Sequence, residues 1–211
     1  MFFLWQCVTG SIRCRSRSRP YTDGMELSQK RFRKGGALAV GVSGDATEYV
    51  NGFRRRYDQH ASRIMPHITL AFAPELDLDH WSQRRAKLAE TLVAIDPFVV
   101  HVAETGVFIQ EKLVLWLKPV VAQDNLERLR GIVLAAFPDV TFERRYDFVP
   151  HISIGFFETA QALSTAKNVV DSELCPFSFR VAFLSFLLAD TDDIWLCVDT
   201  VDLGEQGAEG S

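Results

Sequence analysis

From about residue 36 onward, apolar residues recur in two rhythms that replace each other: alternation typical of strands, and a three-to-four spacing typical of helices. "ALAVGVS" (37–43) is a short apolar run bounded by glycines and predicts a buried strand. Asp45 or Thr47 then caps a helix to about residue 60, with Tyr49, Val50, Phe53 and Tyr57 at helical spacing. "PHITLAF" (66–72) is the next strand, closed by Pro74. Asp77 or Asp79 opens a longer helix whose buried face is marked by Trp81, Leu88, Leu92 and Ile95. The run 98–119 predicts a meander of strands broken at Thr105-Gly106 and Glu111-Lys112. A helix over 122–137 carries Leu126, Leu129, Val133 and Phe137 on one stripe, and Pro138 ends it. "PHISIGF" (150–156) is another strand, followed by a helix from near Thr159 with Leu163, Ala166 and Val170 inward. Two strands finish the pattern, 177–189 and 194–203, joined by an acidic turn containing Asp190, Asp192 and Asp193.

Two of these strands repeat each other. "MPHITLAF" and "VPHISIGF" share a proline, a histidine, an aliphatic residue, a hydroxyl residue and a second aliphatic residue. Each follows a helix and a basic approach (Arg63 before the first, Arg144 and Arg145 before the second), and each precedes a helix. The self-similarity predicts an α+β fold built as a duplicated, bilobal unit. Its two antiparallel sheets would line a central cleft, with helices outside.

Strand alternation then sorts the motif residues. Ile68, Leu70 and Phe72 are expected inward, as are Ile152, Ile154 and Phe156. His67, Thr69 and Ala71 face the other way, and so do His151, Ser153 and Gly155. An imidazole, a hydroxyl and a small residue thus appear twice, the small one leaving room for approach. A pair of imidazoles in one cleft suits acid–base cleavage of a phosphodiester, because histidine titrates near neutrality. The hydroxyls of Thr69 and Ser153 can donate to the non-bridging oxygens. One His-x-Ser/Thr strand is weak grounds for a site; two that repeat the polar face as well as the apolar one are strong.

Composition narrows the field. The 211 residues are 47% hydrophobic and 24% charged, as in ordinary globular domains, and no apolar run approaches the length of a membrane span. The formal charge of −4 argues against broad coating of nucleic acid and leaves room for a local basic pocket. Cys7, Cys14, Cys175 and Cys197 show no metal-ligand spacing, so neither a metal nor another cofactor is expected, and the thiols read as those of an intracellular protein. Residues 1–35 are expected to form a tail outside the domain of 36–203, with a flexible end over 204–211. The arginine- and serine-rich segment 11–20 faintly resembles a mitochondrial presequence. The alternatives are a disordered tail, or a start at Met25, and the expected location is then the cytoplasm.

The paired motifs resemble those of the 2H phosphoesterase superfamily, which includes the 2′-5′ RNA ligase-like proteins and cyclic nucleotide phosphodiesterases. "HITL" and "HISI" both meet the family pattern, and element order is similar from about 36 to 203, with "LWLKP" and "FP…FVPH" as further matches. The resemblance implies opening of 2′,3′-cyclic phosphates on RNA 3′ ends or small cyclic nucleotides, by a monomer acting off the membrane. His67 would protonate the leaving O3′ and His151 would activate water, although pseudo-symmetry permits the reverse; Thr69 and Ser153 would bind the phosphate. No Gly-x-x-x-x-Gly-Lys-[Ser/Thr] loop is present to bind ATP, so any joining would be reversed transesterification.

Arg63 and Arg145 could clamp the phosphate, or could be solvated loop arginines. Arg54-Arg55-Arg56 lies on a predicted helix and reads as including solvated positions, with a role in holding RNA as the alternative. His60, His80 and His101 have no repeating context. Phe72, Phe156, Phe157 and Tyr146 could stack on a base, with core packing the stronger reading for Phe72 and Phe156. Two alternatives stand beside the leading one. The first is a 3′-end RNA exonuclease of the same chemistry, in which the ribose 2′-OH attacks; the second is a non-catalytic RNA- or nucleotide-binding module.

Overall fold

The two rhythms resolve into eight strands and four helices in the computed structural model, which describes residues 31–143 and 147–204. In chain order these are β1 (Phe32–Gly41), α1 (Asp45–Tyr57), β2 (His67–Ala73), α2 (Leu78–Leu92), β3 (Phe98–Ile109) and β4 (Leu113–Val121). There follow α3 (Gln123–Ala136), β5 (Ile152–Phe157), α4 (Ala160–Glu173), β6 (Phe177–Val181), β7 (Phe183–Asp190) and β8 (Trp195–Asp202). They form two four-stranded antiparallel sheets, ordered β2-β1-β7-β8 and β5-β4-β3-β6. The α+β, two-sheet reading is thereby met. Each motif strand ends its sheet, with β1 or β4 as its neighbour.

The helices trade places between the sheets. α1 leaves the first sheet and packs on β5 of the second, while α3 leaves the second and packs on β2 of the first. α2 packs on α3 and β8, and α4 lies on β3, β4 and β5. One apolar core runs through both lobes, from Leu38, Ile68 and Phe186 to Leu115, Leu117 and Ile152. Asp77 caps α2 by accepting from the Asp79 and His80 amides, and Thr159 caps α4 through the Ala162 amide. Among the described residues, no helix is long and apolar enough to cross a membrane.

Four sequence expectations change. β1 begins at Phe32 instead of 37, because Gly35 (φ 104°) lets the strand carry an irregularity and continue. β3 runs straight through Thr105-Gly106, so the expected meander over 98–119 is one hairpin. Gly106 is a packing glycine there: a Cβ would lie 2.2 Å from the Trp116 ring. The run 177–189 is two strands, β6 in one sheet and β7 in the other, with the chain crossing at Ala182.

The fourth change concerns the motifs themselves. Ala39 pairs with Thr69 but Leu38 pairs with Ala71, leaving Leu70 as an extra residue. The second lobe repeats this: Trp116 pairs with Ser153 and Leu115 with Gly155, leaving Ile154 over. Such a bulge reverses the alternation beyond it. Ala71 consequently buries in the core, whereas Phe72 leaves it and packs with Ala37, Ala39 and Leu187. Gly155 abuts α1, where a Cβ would come 2.7 Å from that of Tyr57. Gly155 thus serves helix packing, whereas Ala71 is buried and still borders the cleft.

Candidate active site

Both histidines are fixed by the same local device. His67 Nδ1 lies 2.7 Å from the Met65 carbonyl oxygen, and His151 Nδ1 lies 2.7 Å from that of Val149. A carbonyl only accepts, so each Nδ1 carries the proton and each Nε2 is left for chemistry. Pro66 and Pro150 stand between carbonyl and ring in each copy. Their locked φ, with the extended backbone they impose on the preceding residue, restricts the turn that brings the two together.

The lobes meet at a cleft of about 390 Å³ that Thr69 lines from the first and His151 from the second. His67 Nε2 is 3.1 Å from Thr69 Oγ1. Ser153 is half-buried and pairs in register with Trp116. Phe108 and Trp116 stack on each other at 4.9 Å and meet the His151 ring edge-on at 4.9 and 5.9 Å. Phe72, Gln110, Glu143 and Phe148 complete much of the wall. Arg130, from α3, supplies a cation there; its Nε donates to the Leu70 carbonyl at 3.0 Å and its guanidinium lies over Phe148.

Electrostatics keep both rings neutral at neutral pH. Burial pushes His67 down to about 4; the Met65 carbonyl opposes this, the charges of Arg54 and His151 add to it, and Asp58 opposes it. Burial also lowers His151, against the pull of the Val149 carbonyl. A neutral imidazole accepts a proton at Nε2; an incoming phosphate anion favours its protonation and so prepares a donor.

The other sequence candidates fall variously. Arg63 Nη1 is held by Asp193 at 3.0 Å and its carbonyl accepts from the Trp195 amide, so it braces the β7–β8 turn; like His67 and Ser153, it is not among the residues that line that cleft. Arg144, Arg145 and Tyr146 lie outside the described residues, as do Cys7, Cys14 and the arginines of 11–20. The aspartates form the expected turn: Asp190 accepts from the Asp192 and Ile194 amides. His80 pairs with Asp77, and His101 lies against Ser178. Among the described residues, no group of three or more His, Cys, Asp or Glu is placed to hold a metal.

Arg130 escaped the sequence reading, and the burial of Arg54 did too: within a run read as including solvated positions it is only 2% exposed and paired with buried Asp58. A signal existed for Arg54. It lies four residues after Val50, next to Phe53 and four before Asp58, on the buried stripe of α1.

Comparison with known proteins agrees with this fold. The family model described as the 2′-5′ RNA ligase superfamily matches residues 42–193. A Staphylococcus haemolyticus protein, provisionally named a phosphoesterase, is 30% identical over 167 residues, covering 79% of this chain and 97% of its own length. Among solved structures, Escherichia coli LigT complexed with 3′-AMP is similar at TM-score 0.58 and 14% identity, covering 82% of this chain and 99% of that one. Kluyveromyces marxianus Usb1 is similar at TM-score 0.52 and 14% identity, with 82% and 99% covered. At such identity these structures speak for the fold alone.

Proposed function

The chain belongs to the 2′-5′ RNA ligase superfamily, and from that premise we propose that it is a 2′,3′-cyclic phosphodiesterase acting on RNA 3′ ends or small cyclic nucleotides. The observation that carries this is the doubled device: two imidazoles, one per lobe, each with Nδ1 tied to a backbone carbonyl and Nε2 left as the unprotonated nitrogen. The occurrence of 3′-AMP and of phosphate in LigT structures supports a nucleotide phosphate as occupant.

The reaction needs two proton transfers, and two rings supply them. One Nε2 takes a proton from water as its oxygen bonds to phosphorus. The other, protonated, gives its proton to the ribose O3′ as the P–O3′ bond breaks, leaving a 2′-phosphate. Thr69 and Ser153 hold non-bridging oxygens and stabilise the added charge. Nothing in this sequence of bonds calls for a metal. The lobes are alike enough that His67 as acid and His151 as base is a choice of direction, set by how the substrate lies.

The test incubates the protein with the four 2′,3′-cyclic nucleotides and a cyclic-phosphate RNA, with and without EDTA. EDTA-resistant opening that falls by roughly 10²-fold or more in both His67→Ala and His151→Ala is expected. Undiminished opening in either variant overturns the two-histidine mechanism. Binding of the RNA without opening would point to the non-catalytic module, and release of nucleotides with a cyclic end to the exonuclease.

A further inference from the structure

The buried pair on α1 has no part in the chemistry written above, and burying two charges without a purpose is unfavourable. Its contacts suggest the purpose. Arg54 Nε and Nη2 donate to Asp58 Oδ2 at 3.1 and 2.9 Å, and Nη1 donates to the Ile64 carbonyl at 2.8 Å and to Asn51 Oδ1 at 3.3 Å. Asp58 Oδ1 in turn accepts from the His60 amide at 2.8 Å. One guanidinium thus grips both ends of the loop between α1 and β2. The next carbonyl after Ile64 is Met65, which accepts from His67 Nδ1 at 2.7 Å.

We propose that Arg54 is a positioning residue for His67, acting through residues 58–66. Its fork fixes the Ile64 peptide, and that fixes the neighbouring Met65 carbonyl against the imidazole. The ring is then held in one tautomer with Nε2 toward Thr69 at 3.1 Å. The charged or titratable groups that act on His67 are Arg54 and Asp58 from α1 and His151 from the other lobe. For His151, burial lowers the ring against the pull of the Val149 carbonyl.

The kinetic consequence rests on the proposed two-histidine reading; the structural one does not. The test therefore reads the imidazole rings directly, by long-range 1H–15N correlation at neutral pH. Removing one partner alone would strand a buried charge, so the main variant replaces both, Arg54→Met with Asp58→Leu. In the wild-type protein both rings are expected as the Nδ1–H tautomer. In the double variant His67 is expected to become a mixture of tautomers while His151 is unchanged. Cyclic-phosphate opening should fall by roughly 10- to 100-fold in kcat, with KM within about twofold. R54K keeps the charge and can reach either Ile64 or Asp58 but not both, so its His67 ring should lie between the two. A wild-type His67 spectrum in the folded double variant, or in R54K if the double variant does not fold, overturns the proposal. If no cyclic phosphate is opened by the wild-type protein, the spectra still decide.

Discussion

The His151 ring stands 2.7 Å from the Val149 carbonyl, across a proline, and His67 repeats that relationship with Met65 in the other lobe. The shared distance matters because it sets the tautomer, and the tautomer decides which nitrogen can meet a substrate. Two rings are prepared in the same way, one on each sheet, and under the proposed mechanism the reactive atoms would belong to neither half alone.

If Thr69 and Ser153 hold the phosphate, removing either hydroxyl should weaken the transition state without unfolding the protein. Thr69→Val and Ser153→Ala are each expected to lower kcat/KM by roughly 10- to 100-fold, of the order seen when one such donor is lost. Melting temperatures within a few degrees of wild type would confirm that the loss is local. A wild-type kcat/KM in both variants would remove the hydroxyls from the site.

Acid–base work by two histidines needs one ring protonated and one neutral. Burial lowers both rings from 6.5, His67 to about 4, so the free enzyme holds the required mixed state only on the acid side of 6.5. The kcat/KM profile for a cyclic nucleotide should peak below that pH. The kcat profile should peak higher, because the bound phosphate anion favours the protonated rings. Coincident profiles centred above pH 7 would contradict this.

The same burial ties stability to pH. His67 binds a proton more readily unfolded, near 6.5, than folded, near 4. Protons therefore favour the unfolded chain: the stability held by the neutral ring is intact above pH 6.5 and is lost as pH falls toward 4. Comparing wild type with His67→Asn by calorimetry between pH 4 and 7 isolates this contribution from the carboxylates. The wild-type melting temperature should fall more steeply, and parallel curves would refute the assignment.

Gly155→Ala separates two accounts of a small residue. A Cβ there would press on the Cβ of Tyr57 at 2.7 Å and on the Phe157 ring at 2.9 Å. The variant should lose about 1–3 kcal/mol of stability by overpacking α1 against β5. Its KM at a temperature where it is folded should stay within about twofold. An unchanged melting temperature with a raised KM would return the residue to the cleft.

Much of this was readable in advance, for definable reasons. The doubled His-x-hydroxyl motif and the element order lie in local pattern, which the chain displays openly. Ala71 and Phe72 did not follow it, because the bulge at Leu70 is a matter of register with β1 and no glycine or proline announces it. The crossing at Ala182 was hidden because no glycine or proline interrupts 177–189, although burial changes there from alternating in β6 to nearly continuous in β7. Arg63 could be read as a phosphate clamp or as a solvated loop arginine, and only the fold brings it to Asp193. Arg54 was concealed by its neighbours Arg55 and Arg56, which are surface-paired with Glu48 and Glu173.

The exchange of helices between sheets has a consequence for how the protein can be divided. α1 belongs by connectivity to the first half, yet its apolar stripe is covered by β5 of the second; α3 is in the converse position on β2. A chain cut between α2 and β3 would leave each fragment with an uncovered strand and an unsheltered helix. The same cut parts β1 and β2 from β7 and β8, so neither fragment is expected to fold alone, and mixing the two should restore structure that neither has by itself.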